Sequence, residues 1–411
     1  MKLADLKGEK LGVCVSGGLD SKTVARKLVD LGIEAHCFCA DLAQGDEENI
    51  QSVAERMAPC GVETEIVDLR DEMAAACFDM VRAQAMYDGG YWNSTGIARA
   101  ITVKGLLPAM RAKGCTVLAH GATGRGNDQM RFERYTNALD PQMKVYAPWR
   151  DPEMLREFPG RKEMAAYLQK QGIEAFPGGK KRYSTDANLA GLSYEAEDLE
   201  SLETGCLIVK PQMGLWPQNA SDSPEDFTVR FEKGNAVEIN GKKMNPLAAM
   251  QAANMIGGRN GIGFKNALEN RIIGTKSRGV YESPGLELLA YCLRQIYMAT
   301  MDRQCTALFG QLSHLVAQQV YDGRYFDPAT TAALSAINSM AQHAGGTIKV
   351  KLYKGNIFFE SLTNCNASLY NEADASMEAS AGLNPVSSQG FAEIQGVEAR
   401  AMAKGGQIRN S

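Results

Sequence analysis

Short apolar runs alternate with amphipathic stretches along the first part of the chain. Four runs have the length and composition of buried strands, at 11–15, 34–40, 61–67 and 116–119. The segments between them place apolar residues at the spacing of a helix face, at 19–31, 46–57, 71–86 and 97–111. Strands that alternate with helices in this way form parallel sheets covered by helices on both faces. The pattern therefore predicts an α/β fold for this part of the chain.

A different pattern begins near the middle of the chain. A helical stretch at 161–171 leads into a glycine-rich loop at 176–181. Beyond it, paired alternating runs predict antiparallel hairpins at 227–239 and 347–362, with helices between them at 246–256 and 285–298. The residues near the C-terminus are rich in Ala, Gly, Ser and Glu and have too little apolar mass for a core of their own. We therefore expect an α+β second half followed by a tail.

Composition and charge narrow the class of protein. A chain of 411 residues is too long for one ordinary core, and its 45% hydrophobic content is typical of a globular protein. A net charge of −4 without a lysine and arginine block argues against a nucleic-acid surface. Small anionic substrates stay compatible with this charge, because a pocket can be positive on a mildly acidic protein.

Cysteine usage and hydropathy predict a cytoplasmic protein. The ten cysteines are scattered, and several lie within apolar runs, as reduced core thiols do. Cys37 and Cys39 form the one close pair, and without nearby histidines they make a poor metal site, so we predict no metal held by protein side chains. The N-terminal residues have no signal-peptide pattern, and no apolar run approaches the ~20 residues of a membrane helix.

A glycine-rich segment follows the first apolar run. Residues 15–22 read Val-Ser-Gly-Gly-Leu-Asp-Ser-Lys and join a predicted strand to a predicted helix. Adjacent glycines let the backbone approach a ligand closely, and a helix N-terminus offers unpaired N–H groups to an anion. The segment has neither the Walker A pattern nor the Gly-x-Gly-x-x-Gly of a dinucleotide fold. It resembles the pyrophosphate loop of the N-type ATP pyrophosphatases, which cleave ATP between the α and β phosphates.

Further stretches are dense in polar groups. Residues 120–128 read His-Gly-Ala-Thr-Gly-Arg-Gly-Asn-Asp, a mixture of donors and acceptors that suits a zwitterionic amino acid beside a nucleotide. The others are Tyr-Ser-Thr-Asp-Ala-Asn-Leu at 183–189, Ser-Tyr-Glu-Ala at 193–196, Glu-Asn-Arg at 269–271 and Lys-Ser-Arg-Gly-Val-Tyr-Glu at 276–282. Taken singly, each is also compatible with a helix cap or a solvated charged face.

Taken together and in this order, the motifs resemble the argininosuccinate synthase family, and Ala-Pro-Trp at 147–149 continues the series. The resemblance implies a ligase that condenses citrulline with aspartate through an adenylated citrulline intermediate, using ATP and Mg²⁺ and releasing AMP and pyrophosphate. It implies small-molecule partners only, with no nucleic acid and no membrane. It also implies a homotetramer whose C-terminal tails clasp neighbouring subunits.

The resemblance also gives the fold class and the domains. It implies an α/β protein that begins with a parallel doubly wound sheet of the ATP-pyrophosphatase type. We place this nucleotide-binding domain at 1–172. An α+β synthetase and multimerisation domain follows at 173–372, and an oligomerisation tail at 373–411.

The resemblance implies site residues at the positions that match the family's motifs. Those implied to bind ATP are Val15, Ser16, Gly17, Gly18, Leu19, Asp20, Ser21, Ala40, Gly121, Asp128 and Asp186. Those implied to bind citrulline or aspartate are Tyr91, Thr95, Thr123, Asn127, Asp128, Arg131, Ser184, Ser193, Glu195, Glu269 and Tyr281. Asp20, Asp128 and Arg131 are implied to serve the reaction directly, with Arg131 as a bidentate partner of the citrulline carboxylate. We expect Asp128 to lie in a surface loop and His120 to shape its loop rather than act as a base.

Two residues depart from the family pattern. Lys22 replaces a small hydroxyl residue at the start of the helix, and we expect its side chain to point to solvent. Gly96 stands where many members carry a serine that helps to bind citrulline. These departures keep open an aspartate-adding ligase of the same fold that acts on a citrulline analogue. A tRNA-modifying adenylating enzyme and a nucleotide-binding protein without catalysis are the further alternatives.

Overall fold

The first half of the chain folds around a parallel sheet. The computed structural model describes residues 1–47, 49–175, 183–378 and 382–409. The strands of this half are β1 (Lys10–Cys14), β2 (Glu34–Asp41), β3 (Thr64–Asp68), β4 (Met86–Tyr87), β5 (Tyr91–Trp92), β6 (Val117–His120) and β7 (Lys144–Tyr146). The helices are α1 (Leu19–Asp30), α2 (Ser52–Met57), α3 (Arg70–Ala83), α4 (Ser94–Ala112), α5 (Asp128–Leu139), α6 (Pro152–Glu157) and α7 (Arg161–Lys170). Five strands pair in parallel in the order β3-β2-β1-β6-β7, which confirms the α/β prediction.

Alternate side chains of the sheet pack on opposite faces. Cys37 and Cys39 of β2 join the apolar cluster that contains α1 and α7, whereas Phe38 joins the cluster that contains α3 and α4. A Cβ atom on Gly12 would lie 2.6 Å from Met110 Cγ, so α4 lies directly against β1 because this position has no side chain. Helices therefore cover both faces of the sheet, as the pattern predicts.

Two elements begin later in the chain than the sequence predicts. The helix predicted at 46–57 begins only at Ser52. Polar side chains before it form local hydrogen bonds that compete with helix formation. Asn49 Oδ1 accepts a hydrogen bond from Gln51 N at 3.0 Å, and the Glu47 carboxylate accepts one from Ser52 Oγ at 2.9 Å. The strand predicted at 61–67 begins later, since Gly61, with φ +80°, ends the preceding turn of helix.

The second half contains two antiparallel sheets. Its strands are β8 (Ser184–Asn188), β9 (Gly191–Glu195), β10 (Glu225–Glu232), β11 (Asn235–Ile239), β12 (Lys242–Lys243), β13 (Phe264–Asn270), β14 (Lys276–Glu282), β15 (Gly346–Tyr353) and β16 (Asn356–Thr363). Its helices are α8 (Pro246–Arg259), α9 (Pro284–Thr300), α10 (Arg303–Tyr321) and α11 (Pro328–Ala341). The sheet orders are β13-β14-β9-β8 and β12-β11-β10-β15-β16. The α+β prediction and both predicted hairpins are confirmed.

The chain divides into two compact units, residues 1–366 and residues 367–411. The second unit contains α12 (Glu372–Ala375) and α13 (Ser387–Lys404). The loop predicted at 176–181 lies outside the described residues, and the division at 172 and 372 stays a prediction. In the part of the chain that the structure describes, no helix is both long and apolar enough to cross a bilayer.

Candidate functional site

The bend between β1 and α1 carries the predicted phosphate loop. Gly17 has φ +73°, a left-handed conformation that favours glycine over residues with a Cβ atom. Ser16 N donates a hydrogen bond to Ser21 Oγ at 3.1 Å, which ties the bend to the first turn of the helix. Asp20 lies on that first turn, and burial raises the pKa of its carboxyl. The structure thus gathers all the predicted loop residues at one helix N-terminus, where an anion is favoured.

Two neighbouring strands end beside this bend. β2 and β6 both pair with β1, and Ala40 and Gly121 lie at or just beyond the carboxyl ends of these strands. A Cβ atom on Gly121 would lie 3.4 Å from Asp20 Cβ, so the loop after β6 touches the start of α1. Ligands of open parallel sheets bind at this edge. Ala40 and Gly121 are therefore placed where a nucleotide held by the loop would contact them.

Arg56 also lies against the phosphate loop, and sequence analysis did not identify it. A Cβ atom on Gly17 would lie 2.9 Å from Arg56 Nε. The Arg56 guanidinium is held by the Glu47 carboxylate at 2.6 Å and by Ser52 Oγ at 2.6 Å. This arrangement positions a cation beside the bend.

The expectation that Lys22 points to solvent is wrong. Its side chain is buried, with 2% of its surface exposed, and Nζ donates a hydrogen bond to the Glu174 carbonyl oxygen at 2.7 Å. Burial lowers the pKa of the Lys22 ammonium. The lysine therefore ties α1 to the segment after α7, because a buried ammonium needs an acceptor.

A cavity of about 590 Å³ lies beside the loop that follows β6. All the residues predicted to bind citrulline or aspartate line it, namely Tyr91, Thr95, Thr123, Asn127, Asp128, Arg131, Ser184, Ser193, Glu195, Glu269 and Tyr281. Asn93, Arg125, Arg271, Lys276 and Arg278 add further polar groups to the wall. The residues of the phosphate loop, Ala40, Gly121 and Asp186 lie outside this lining. The structure therefore separates the predicted nucleotide residues from most of the predicted amino-acid residues.

One face of the sheet β13-β14-β9-β8 forms a wall of the cavity. Asp186 pairs with Ser193, and Ser193 pairs with Tyr281, across three adjacent strands. Ser184 and Glu195 form the next pair on the same face, two residues along β8 and β9. Residues paired across strands, and residues two apart within a strand, share a face. The register therefore brings five predicted residues from three sequence stretches to one surface.

Asp128 lies at the first residue of α5 between two arginines. Arg99 Nε donates to one carboxylate oxygen of Asp128 at 2.8 Å, and Arg131 Nη1 donates to the other at 2.7 Å. Burial opposes the charge, but the two guanidiniums outweigh it and the pKa of Asp128 is lowered. Arg131 is 3% exposed. The expectation of a surface loop away from the core is therefore wrong, since Asp128 balances two buried or partly buried cations.

Arg99 connects Asp128 with Asp186. Its second guanidinium nitrogen donates to the Asp186 carboxylate. Burial raises the pKa of Asp186, because the charge of Arg99 does not fully compensate for lost hydration. Arg99 thereby links Asp186, which is predicted to bind ATP, to the cavity through one ion-pair network.

Tyrosines enclose a second side of the cavity. Tyr91 stacks on Tyr281 with ring centroids 4.1 Å apart, and its hydroxyl donates to the Glu269 carboxylate. Glu269 also accepts a hydrogen bond from Ser277 Oγ at 2.9 Å. Asn127 Nδ2 donates to Tyr321 Oη at 2.8 Å. These bonds hold Tyr91, Glu269 and Asn127 in place before any ligand is considered.

Glu195 is a partly buried carboxylate of the cavity. Burial, and then the charges of Asp128, Asp186 and Glu269, raise its pKa to about 7. Near neutral pH this group therefore exchanges readily between a neutral and a charged form. A cationic ammonium of an amino-acid ligand would stabilise the charged form.

His120 matches its predicted role in the loop. Its side chain is fully buried, and Nδ1 accepts a hydrogen bond from Ala122 N at 3.2 Å. Burial lowers its pKa to about 3, so the ring is neutral near pH 7. A neutral imidazole bonded to the backbone shapes the turn between the two sites.

Among the contributing residues that were not predicted, Arg99 and Asn93 left a signal in the sequence. Arg99 is four residues after Thr95 on α4, and such residues share a helix face. Asn93 directly precedes α4, at the position where asparagine caps a helix. Arg56 left none, because its approach to Gly17 depends on how α2 packs.

Two family models and several known proteins are similar to this chain. The family model "Arginosuccinate synthase N-terminal HUP domain" matches residues 10–174, and "Arginosuccinate synthase C-terminal domain" matches residues 183–402. The argininosuccinate synthase of Rhodopirellula baltica is 40% identical over 392 residues, which cover 95% of this chain and 96% of that protein. Those of Nitratidesulfovibrio vulgaris and Erythrobacter litoralis are each 37% identical, and they align with 96% and 98% of this chain and with 98% and 99% of their own lengths.

Proposed function

This chain belongs to the argininosuccinate synthase family of ligases, which condense citrulline with aspartate in an ATP-dependent reaction, and we propose which of its residues bind each substrate. The bend at 15–21 holds the ATP phosphates, with Ala40, Gly121 and Asp186 nearby. The cavity holds the two amino acids, with Thr123, Asn127 and Asp128 at aspartate. The resemblance found in the sequence is confirmed at the level of the family.

One observation carries this assignment. Residues from five separate stretches of the chain line a single cavity, and the loop after β6 leads from that cavity to the phosphate loop. Gly121 touches Asp20, while Thr123 lies in the cavity wall two residues later. A triphosphate and an amino-acid acceptor would therefore be held at the two ends of one short loop.

The proposed chemistry needs alignment more than a covalent enzyme group. The ureido oxygen of citrulline attacks the α phosphorus, the bond from that phosphorus to the bridging oxygen breaks, and pyrophosphate leaves. The amine of aspartate then attacks the ureido carbon, AMP leaves with the oxygen, and the amine loses a proton. Orienting both reactants in one cavity converts a slow encounter into an intramolecular step.

Charge neutralisation is shared between the chain and a cation. The carboxylate of Asp20 and the hydroxyl of Ser21 are hard oxygen ligands of the type that Mg²⁺ accepts, so the bend fits a magnesium-bound triphosphate. Mg²⁺ supplies positive charge to the phosphates when bound. The amides of α1 orient the phosphates, and Arg131 contacts the carboxylate of the acceptor.

Assembly and location belong to the same proposal. Phe391, Ile394 and Val397 follow each other at helical spacing, and none of the residues of α13 is buried. This apolar stripe supports a tail that clasps a neighbouring subunit of a homotetramer. The ten cysteines, all within the described residues, are free thiols, as expected in the cytoplasm.

Formation of AMP and pyrophosphate tests the proposal. We expect multiple turnovers of both products only when ATP, aspartate and citrulline are present together, with argininosuccinate formed in equal amount, and at most one pyrophosphate per site from ATP and citrulline alone. A panel of ureido and guanidino compounds then decides between citrulline and an analogue as the preferred acceptor. Repeated turnover to AMP that does not require aspartate contradicts the assignment. The family membership does not favour the tRNA-modifying or the non-catalytic alternative.

A further inference from the structure

Asn93 caps α4 at the wall of the cavity. Its side chain is 4% exposed, and Oδ1 accepts a hydrogen bond from Gly96 N at 3.0 Å. This bond satisfies one of the free amides of the first helical turn. It also fixes the orientation of the amide, because the atom that accepts from the backbone must be the oxygen. The nitrogen Nδ2 is therefore the end of the side chain that is free to donate.

Nδ2 of Asn93 is a buried donor without an acceptor. It has no hydrogen-bond partner among the described residues, although Asn93 lines the cavity. Ser193 Oγ, across the same cavity, is also buried and lacks a partner within the described chain. Buried polar groups are nearly always paired, so an unpaired donor at the wall of a site indicates a ligand atom. No group in the described part of the chain accepts a hydrogen bond from this donor.

Gly96 makes room for this amide. A Cβ atom on residue 96 would lie 2.3 Å from Asn93 Nδ2 and 2.7 Å from Asn93 Cγ. Any side chain at position 96 would therefore displace the amide of Asn93. The asparagine at 93 and the glycine at 96 form a matched pair, in which the side chain of one occupies the space left by the other.

We propose that Asn93 determines acceptor specificity, with Nδ2 donating a hydrogen bond to an oxygen atom of the acceptor amino acid. This inference rests on the proposed function and deepens it. Gly96 lacks the serine hydroxyl that many members of the family have at this position. Its missing side chain instead leaves space for the amide of Asn93, which can bind the acceptor. The acceptor class that it selects carries a hydrogen-bond-accepting oxygen at this position, and a group that can only donate is disfavoured there.

Two substitutions separate the donor from the cap. Asn93→Asp and Asn93→Ser both retain an oxygen that can cap α4, but neither retains the amide donor. Asn245→Asp is the matched control, because Asn245 is exposed and caps α8 through a bond from Ala248 N at 2.8 Å. We expect both Asn93 variants to raise the acceptor KM by about tenfold or more, since a buried pairing is lost. The KM values for ATP and aspartate stay unchanged in both variants, and the midpoint of thermal unfolding stays unchanged in Asn93→Ser, which adds no charge. Every property of Asn245→Asp stays unchanged.

Direct titration of citrulline separates this inference from the proposed function. If the enzyme binds citrulline without forming AMP, the proposed function fails, and the citrulline Kd of the Asn93 variants still tests the inference. An acceptor KM and Kd that stay unchanged in both variants overturn it. So does an equal rise in the KM of all three substrates with a lowered unfolding midpoint, because that result assigns Asn93 a purely structural role. An enzyme that neither binds nor converts citrulline overturns citrulline as the acceptor, and the Asn93 variants then test the inference with the acceptor that the panel identifies.

Discussion

Arg99 donates its Nε–H to Asp128 across 2.8 Å, and this bond joins α4 to the first turn of α5. Asp128 also receives the guanidinium of the buried Arg131. The carboxylate therefore balances positive charge that the fold has removed from water. Substitution of Asp128 by alanine would therefore change ligand binding in the cavity and the stability of the fold at the same time.

Asp128→Asn tests this double role. The substitution leaves Arg99 and Arg131 without their shared anion, so we expect a loss of about 3 kcal/mol in the free energy of unfolding, together with loss of ligase activity. Denaturant unfolding and AMP release measure the two effects. Asp140→Asn is the control, because Asp140 pairs with Arg111 near the surface at 2.6 Å, where such a pair contributes about 1 kcal/mol or less. Similar small losses in both variants would show that Asp128 does not balance buried charge.

Lys22→Met tests whether the buried lysine serves the fold or the phosphates. Methionine fills most of the volume but leaves the Glu174 carbonyl without its donor, so we expect a cost of about 1–2 kcal/mol in stability. The KM for ATP stays within about twofold, because Nζ is bound to the Glu174 carbonyl oxygen. Unchanged stability with a strongly raised ATP KM would contradict this and assign the lysine to the nucleotide.

Local pattern was sufficient to predict most of the fold. The run at 11–15 and the glycines after it contain both the strand and the bend, because alternation and glycine placement are local properties. The hairpin at 227–239 was also predicted from local pattern, because alternating runs flank a glycine. In the structure, Lys233 and Gly234 take the positive φ angles that a two-residue turn requires. The helix predicted at 46–57 was too long, because side-chain bonds such as that of Asn49 compete with the helix without changing its apolar pattern.

The site was only partly predictable from the sequence. The resemblance supplied the residues that line the cavity, but not the contacts that hold them. Lysine side chains are usually exposed, so the sequence predicts an exposed Lys22. The acceptor that allows its burial, the Glu174 carbonyl, lies far along the chain and leaves no local pattern. The approach of Arg56 to Gly17 likewise depends on packing between α2 and the bend. Tertiary partners of charged residues are not encoded in local periodicity.

Arg56→Met tests whether the cation beside the bend contributes to nucleotide binding. The guanidinium lies 2.9 Å from the position of a Cβ atom on Gly17, within reach of a phosphate held by the loop. We expect the ATP KM to rise by about tenfold, because a charge-assisted hydrogen bond is lost. Arg70→Met is the control, since Arg70 pairs with Asp68 at 2.6 Å and is largely exposed. Equal ATP KM values in the two variants would exclude a contact between Arg56 and the phosphates.

Glu195→Gln tests the pH dependence of the cavity. Burial and neighbouring carboxylates raise the pKa of Glu195 to about 7, above the value of 4.5 for an unperturbed glutamate. A carboxyl whose pKa is higher in the folded state contributes stability that is fully present below the unfolded value and is lost as the pH rises through the folded value. The wild-type protein should therefore lose on the order of 3 kcal/mol between pH 4.5 and pH 8 through this group, and the variant should not. The free energy of unfolding, measured for both proteins across that range, gives the difference directly. Parallel curves for the two proteins would show that the pKa of Glu195 is not raised by folding. A citrulline KM that falls as Glu195 ionises would place the ammonium of the acceptor beside it.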